Sequence, residues 1–141
     1  MMYDPTLVQP MRDELTRLGA QELLTPAAVD AWVADKSTTG LLVVNSVCGC
    51  AAGMARPGVA LAMKSPARPQ RLATVFAGQD GDATSRARVH FGKIPPSSPS
   101  MALFKDGKVV DFLPRARIEG RSAQDVGKDL IAMFEKHCAP R

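Results

Sequence analysis

Two cysteines, Cys48 and Cys50, stand one residue apart around Gly49. A thiolate attacks a disulfide sulfur and forms a mixed disulfide, and a second thiol close by can then attack that intermediate. The flanking residues favour this chemistry. The run Leu41-Leu42-Val43-Val44 reads as a strand and the stretch from Ala51 to Lys64 as a helix interrupted at Pro57, because proline lacks the N–H a helix interior needs. The sulfurs therefore fall near a helix N-terminus, where free N–H groups and the helix dipole stabilise a thiolate. Gly49 is expected to let the backbone bend tightly and leave Cys48 uncovered. A disulfide closed over one residue strains its loop, and strain makes a disulfide easier to reduce. The expected couple is thus oxidising or isomerising rather than strongly reducing.

Other uses of the pair are weighed against this one. A closed zinc site takes four ligands, and Cys138, His90 and His137 are the remaining soft candidates, none at finger-like spacing. No metal and no bound cofactor are expected. Two inert core cysteines are the blander alternative. Cys138 lies four residues after Phe134 on the apolar side of the last helix and reads as a small hydrophobe at the edge of the core. His90 and His137 read as structural or solvent-facing. There is no glycine-rich phosphate loop and no serine nucleophile motif.

The elements that must position the cysteines follow from periodicity and punctuation. Asp4-Pro5 opens a helix carrying Val8, Met11, Leu15 and Leu18, which Gly19 can end, and Thr25-Pro26 opens a second with Val29, Trp32 and Val33. Leu72–Ala77 reads as a second buried strand and Asp82–Phe91 as a helix. Met101–Phe104 and Val109–Phe112 flank Lys105-Asp106-Gly107-Lys108, a strong hairpin signal. Ser122-Ala123-Gln124-Asp125 resembles a capping box with Asp in place of Glu, and the helix it starts sets Val126, Leu130, Met133 and Phe134 on one face. The order α-α-β-α-β-α-β-β-α predicts an α/β sandwich with a mixed central sheet, its first two strands parallel and its last two an antiparallel hairpin. One domain over 1–141 is expected, with residues 1–36 as an N-terminal helical extension and 41–138 as the redox core. The N-terminal helices are expected to pack on the sheet; a homodimer face is the alternative.

Composition narrows the class. The chain has 141 residues, 45% apolar and 23% charged, as an ordinary globular domain does. The net charge of +4 is uneven: residues 1–40 carry 3 basic and 6 acidic side chains, and 41–141 carry 15 basic and 8 acidic. The basic residues are dispersed and aromatics are few, so no nucleic-acid partner is expected. No apolar run reaches the ~20 residues of a membrane span, and the N-terminus lacks the pattern of a secretory signal. A cytoplasmic location is therefore expected.

Pro99 and the hairpin after it add a resemblance. The segment Pro99-Ser100-Met101-Ala102-Leu103-Phe104-Lys105-Asp106-Gly107 resembles the thioredoxin segment that begins with a cis-proline beside the redox cysteines, and the Ser98–Pro99 bond is expected to be cis. The stretch from Asn45 through Cys48-Gly49-Cys50 to Pro57-Gly58 resembles the signature of the bacilliredoxins, thioredoxin-fold proteins with a Cys-Gly-Cys centre. Phe76-Ala77-Gly78-Gln79-Asp80, Pro95–Ser100, Phe112-Leu113-Pro114-Arg115 and Ile118-Glu119-Gly120 continue the match.

The resemblance implies a thioredoxin-like fold and a bacterial protein that removes bacillithiol from client proteins carrying mixed disulfides. Cys48 would attack and Cys50 would resolve, while Gly49, Ser98 and Pro99 would shape the substrate groove. Bacillithiol would be co-substrate and a reductase would recycle the enzyme. Arg56 is a guess, from its nearness in sequence, for holding the carboxylates of bacillithiol. A general protein disulfide isomerase or reductase is the alternative enzyme. A non-catalytic metal-binding or redox-sensing module is the rival from another class.

Overall fold

The computed structural model describes residues 2–138. Helix α1 (Pro5–Thr16) is capped by Asp4, whose carboxylate accepts from the Thr6 N–H at 2.9 Å. A two-residue strand β1 (Gln21–Glu22) follows, then α2 (Pro26–Ala34), capped by Thr25. Strand β2 (Gly40–Asn45) leads to the cysteines. After them come a π-helical turn (Ala51–Ala55) and α3 (Arg56–Ala62). Then come β3 (Arg71–Phe76), α4 (Gly81–His90), β4 (Ser100–Lys105), β5 (Lys108–Leu113), a short 3₁₀ turn (Arg115–Arg117) and α5 (Ala123–His137).

The five strands form one mixed sheet in the order β1-β3-β2-β4-β5. β2 is central, parallel to β3 and antiparallel to β4, with Leu41 opposite both Leu72 and Leu103. All six β2 residues are buried, and their alternation shows why. Leu41 and Val43 pack with Val59, Val126, Leu130 and Phe134 on one face, while Leu42 and Val44 pack with Val29, Trp32, Ala83 and Ala87 on the other. Side chains alternate across a strand, so an unbroken apolar run fits a sheet covered on both sides. Helices α3 and α5 cover the first face, and Leu15 of α1 joins their cluster; α2 and α4 cover the second.

The hairpin turns where its sequence predicts, with Asp106 at φ 57° and Gly107 at φ 76°. Two residues of positive φ are what a two-residue primed turn requires. Strand β1 was not predicted. Two polar residues have no periodicity to read, and their pairing with Ala73 and Thr74 is set by β3. The helix after the cysteines also differs from expectation, because the irregularity precedes Pro57. Pro57 has no N–H for the carbonyl four residues back, and the turn widens so that the Arg56 N–H reaches the Ala51 carbonyl, five residues back.

Candidate active site

Cys48 and Cys50 lie where β2 ends and helical backbone begins at Gly49. This is the edge of the sheet at which parallel β2 and β3 have their C-terminal ends and antiparallel β4 begins. Both cysteines are free thiols, but their surroundings differ. Cys48 is partly exposed and borders a pocket of about 350 Å³. Cys50 is 8% exposed and belongs to the core cluster beneath α3 and α5.

The difference in burial sets a difference in acidity. Partial burial pushes the Cys48 thiol up. Hydrogen bonds from the Ser46 hydroxyl, the Ala51 and Cys50 backbone N–H groups and the Cys50 thiol outweigh it, leaving Cys48 below an ordinary cysteine. Burial pushes Cys50 up, and the neighbouring Cys48 sulfur adds to this, with Arg115 pulling the other way and Glu119 pushing up again. The Glu119 carboxylate, 3.7 Å from the Cys50 Sγ, is the other acceptor within reach of that single thiol proton. Glu119 is itself held below the usual carboxylate range by Arg115, which pairs with it at 2.9 Å.

Ser46 is the first residue that sequence reading missed. Its Oγ is 3.3 Å from both the Cys48 Sγ and the Cys48 N, so it can donate to the sulfur while accepting from the backbone. Its own position is fixed from below. Asn45 accepts the Ser46 N–H at 2.9 Å on Oδ1, and the same oxygen accepts from Arg56 Nη1 at 3.0 Å. Arg56 Nη1 also donates to the Ser46 carbonyl at 2.9 Å, and its Nε lies 3.1 Å from Glu14 of α1. Asn45 Nδ2 donates to the Met11 carbonyl. The cysteine loop is thus tied to α1 by a buried polar network. Arg56 therefore does not hold substrate carboxylates: at 2% exposure, with its donors turned to Asn45, Ser46 and Glu14, it supports the loop from inside.

The Ser98–Pro99 bond is cis. Ser98 lines the pocket beside Cys48, and Pro99 is buried next to it. Arg115 donates to the Ser98 carbonyl at 3.2 Å, and Arg88 of α4 donates to the Ser97 carbonyl at 3.4 Å. Both arginines line the pocket. Gly49 has no positive φ, and a Cβ built on it would meet nothing within 4 Å beyond its chain neighbours, so the expected tight bend is not what the backbone shows there.

The other sequence candidates lie apart from the pair. His90 bonds Asp30 at 2.7 Å and His137 bonds Asp111 at 3.2 Å. Cys138 sits in the core cluster, its thiol pushed up by burial. Among the described residues, no group of three or more His, Cys, Asp or Glu is placed to hold a metal.

Comparison with known proteins fits this geometry. The family model described as disulphide isomerase matches residues 3–138. A bacilliredoxin of Geobacillus kaustophilus is 50% identical over 137 residues, covering 96% of this chain and 94% of the relative. A bacilliredoxin of Salinibacter ruber is 52% identical over 140 residues, covering 98% and 82%. The chain belongs to the bacilliredoxin family.

It is a thiol–disulfide oxidoreductase. The fold is that of thioredoxin. A Fasciola hepatica thioredoxin superposes with a TM-score of 0.59 at 22% identity, covering 83% of this chain and 98% of that one. The oxidised thioredoxin of Plasmodium falciparum superposes with a TM-score of 0.58 at 16% identity, covering 85% and 99%. The two bacilliredoxin relatives thus match 96% and 98% of this chain, more than either thioredoxin structure does. Among the described residues, no helix is long and apolar enough to cross a membrane.

Proposed function

We propose that this bacilliredoxin-family chain strips a small thiol, bacillithiol, from mixed disulfides on client proteins. The observation that carries the reading is the inequality of the two cysteines, of which only Cys48 borders the pocket. Cys48 is partly exposed and more acidic than an ordinary thiol, while burial makes Cys50 less acidic. The pocket volume of about 350 Å³ is at the lower end for small-molecule sites. The name of the relatives supports the identity of the thiol.

The Cys48 thiolate attacks the bacillithiol sulfur, a new S–S bond forms, and the client leaves as a thiolate. Cys50 then loses its proton, with Glu119 at 3.7 Å as the nearby acceptor, and attacks the Cys48 sulfur. Bacillithiol leaves as a thiolate and a Cys48–Cys50 disulfide remains. Two electrons from a recycling dithiol reductase return the pair. Ser98 and Pro99 border the path by which the client's mixed disulfide approaches, and Gly49 keeps that path open. A cytoplasmic setting suits a couple that is repeatedly reduced.

Mass spectrometry of Cys50→Ala after mixing with a bacillithiolated model protein tests this reading. Bacillithiol transferred to Cys48 is the expected result. If Cys48 instead stays free of bacillithiol and traps a scrambled protein disulfide, the chain is an isomerase, the activity named by the family model's description. If neither adduct forms while Cys48 alkylates readily, catalysis by this pair is refuted and metal binding or redox sensing takes its place.

A further inference from the structure

Two arginines, Arg88 and Arg115, line the Cys48 pocket, and they are not equivalent. Arg115 is already engaged: one terminal nitrogen donates to the Ser98 carbonyl at 3.2 Å and the other pairs with Glu119 at 2.9 Å. Arg88 forms no ion pair with any described residue. Its one hydrogen bond runs from Nη2 to the Ser97 carbonyl at 3.4 Å, and its Nε is buried with no partner. A charged donor buried without an acceptor is costly to leave unmade. Among the described residues, no carboxylate lines this pocket. An acceptor entering the pocket would meet a guanidinium that no carboxylate of the described residues neutralises. A carboxylate is the group that a guanidinium edge fits, since it accepts two parallel N–H bonds.

We infer that Arg88 is the anion-recognition residue of the Cys48 pocket, holding a carboxylate on the small-thiol half of the mixed disulfide. This rests on the proposed removal of a small thiol and adds the chemistry by which that thiol is recognised. It also bears on which sulfur is attacked. A mixed disulfide offers two sulfurs, and anchoring the small acid on Arg88 brings its sulfur, rather than the client's, to Cys48. The S–S bond then forms between Cys48 and the small thiol, and the client leaves as thiolate.

The test uses one model protein with a single cysteine, loaded either with mercaptosuccinate, a dicarboxylate thiol, or with the neutral 2-mercaptoethanol. The readout is the ratio of the two second-order rate constants for transfer to Cys48. Arg88→Gln is expected to lower that ratio about ten- to a hundredfold, the range spanned by a hydrogen bond to a charged group. Arg88→Lys keeps the charge without the fork and should restore part of it. A structural role through Ser97, or a general effect on the thiolate, would slow both adducts together and leave the ratio where it was. That result, or no change in either rate, overturns the inference.

If the wild type transfers neither adduct, the proposed function fails while the anion site can still be tested. Succinate, which has no thiol, should slow alkylation of Cys48 by neutral iodoacetamide in the wild type and not in Arg88→Gln. Equal effects in the two proteins would dispose of the anion site independently.

Discussion

Ser46→Ala should change the reactivity of Cys48 in opposite directions at the two ends of the pH range. The Ser46 hydroxyl lies 3.3 Å from the Cys48 sulfur and donates to its thiolate. A hydrogen bond to a charged group contributes about 1.5–3 kcal/mol, and the low end applies because the thiol is partly solvated. About 1.5 kcal/mol is roughly a tenfold change in an ionisation equilibrium. The sign follows from which form the bond favours. Removing a donor to the thiolate makes the thiol harder to ionise, so the profile moves to higher pH and the thiolate fraction on the acid side falls about tenfold. A more basic thiolate is intrinsically a better nucleophile, with a Brønsted slope of about 0.4–0.5, which returns roughly threefold. Alkylation of Cys48 by iodoacetamide should therefore be about threefold slower in the variant on the acid limb. On the alkaline plateau, where both proteins are fully ionised, it should be about threefold faster. The assay is the alkylation rate from pH 5 to 10 in a Cys50→Ala background, which removes the second titrating thiol. Superimposable profiles, or a variant slower by the same factor at every pH, would refute the assignment of Ser46 as a thiolate donor.

Arg56→Met should destabilise the fold by about 2–4 kcal/mol in urea unfolding, because it strips Asn45 Oδ1 and the Ser46 carbonyl of a buried charged donor. It should also move the Cys48 alkylation profile to higher pH, as Ser46→Ala does, since Ser46 loses its support. Two glycines on the same segment should respond oppositely to alanine. A Cβ at Gly58 would lie 2.6 Å from Val126 Cγ1 and force α3 from α5, costing about 1–3 kcal/mol. At Gly53 nothing lies within 4 Å and φ is not positive; alanine there should gain about 0.4–1 kcal/mol in the same measurement.

Local signals were enough for most of the scaffold. Leu41–Val44 reads as a strand buried on both faces because four consecutive apolar residues, two leucines and two valines, leave no side for water. The caps at Asp4, Thr25 and Ser122 are short-range bonds to an N–H two or three residues on. The Asp106-Gly107 turn needs only two residues that tolerate positive φ. The Cys48–Cys50 pair is visible in the sequence from residue type and close spacing, and Pro99 from its place before the hairpin. The cis state of the Ser98–Pro99 bond was expected from the resemblance of its surroundings.

Tertiary structure decided how the cysteines differ and what surrounds them. Nothing in Cys-Gly-Cys says which sulfur is buried; the answer depends on α5 and the Ile118–Glu119 turn packing over Cys50. Arg56 lies close in sequence to the pair yet points into the interior, held by Glu14 more than forty residues away. Arg88 and Arg115 meet at the pocket of Cys48 only because the sheet brings the ends of β2, β3 and β4 to one edge. Strand β1 exists for a similar reason, since Gln21 and Glu22 are extended by the free edge of β3 rather than by their own propensity. Periodicity and capping act over a few residues, and the acidity of a thiol or the charge of a pocket is the sum over neighbours that only the folded chain assembles.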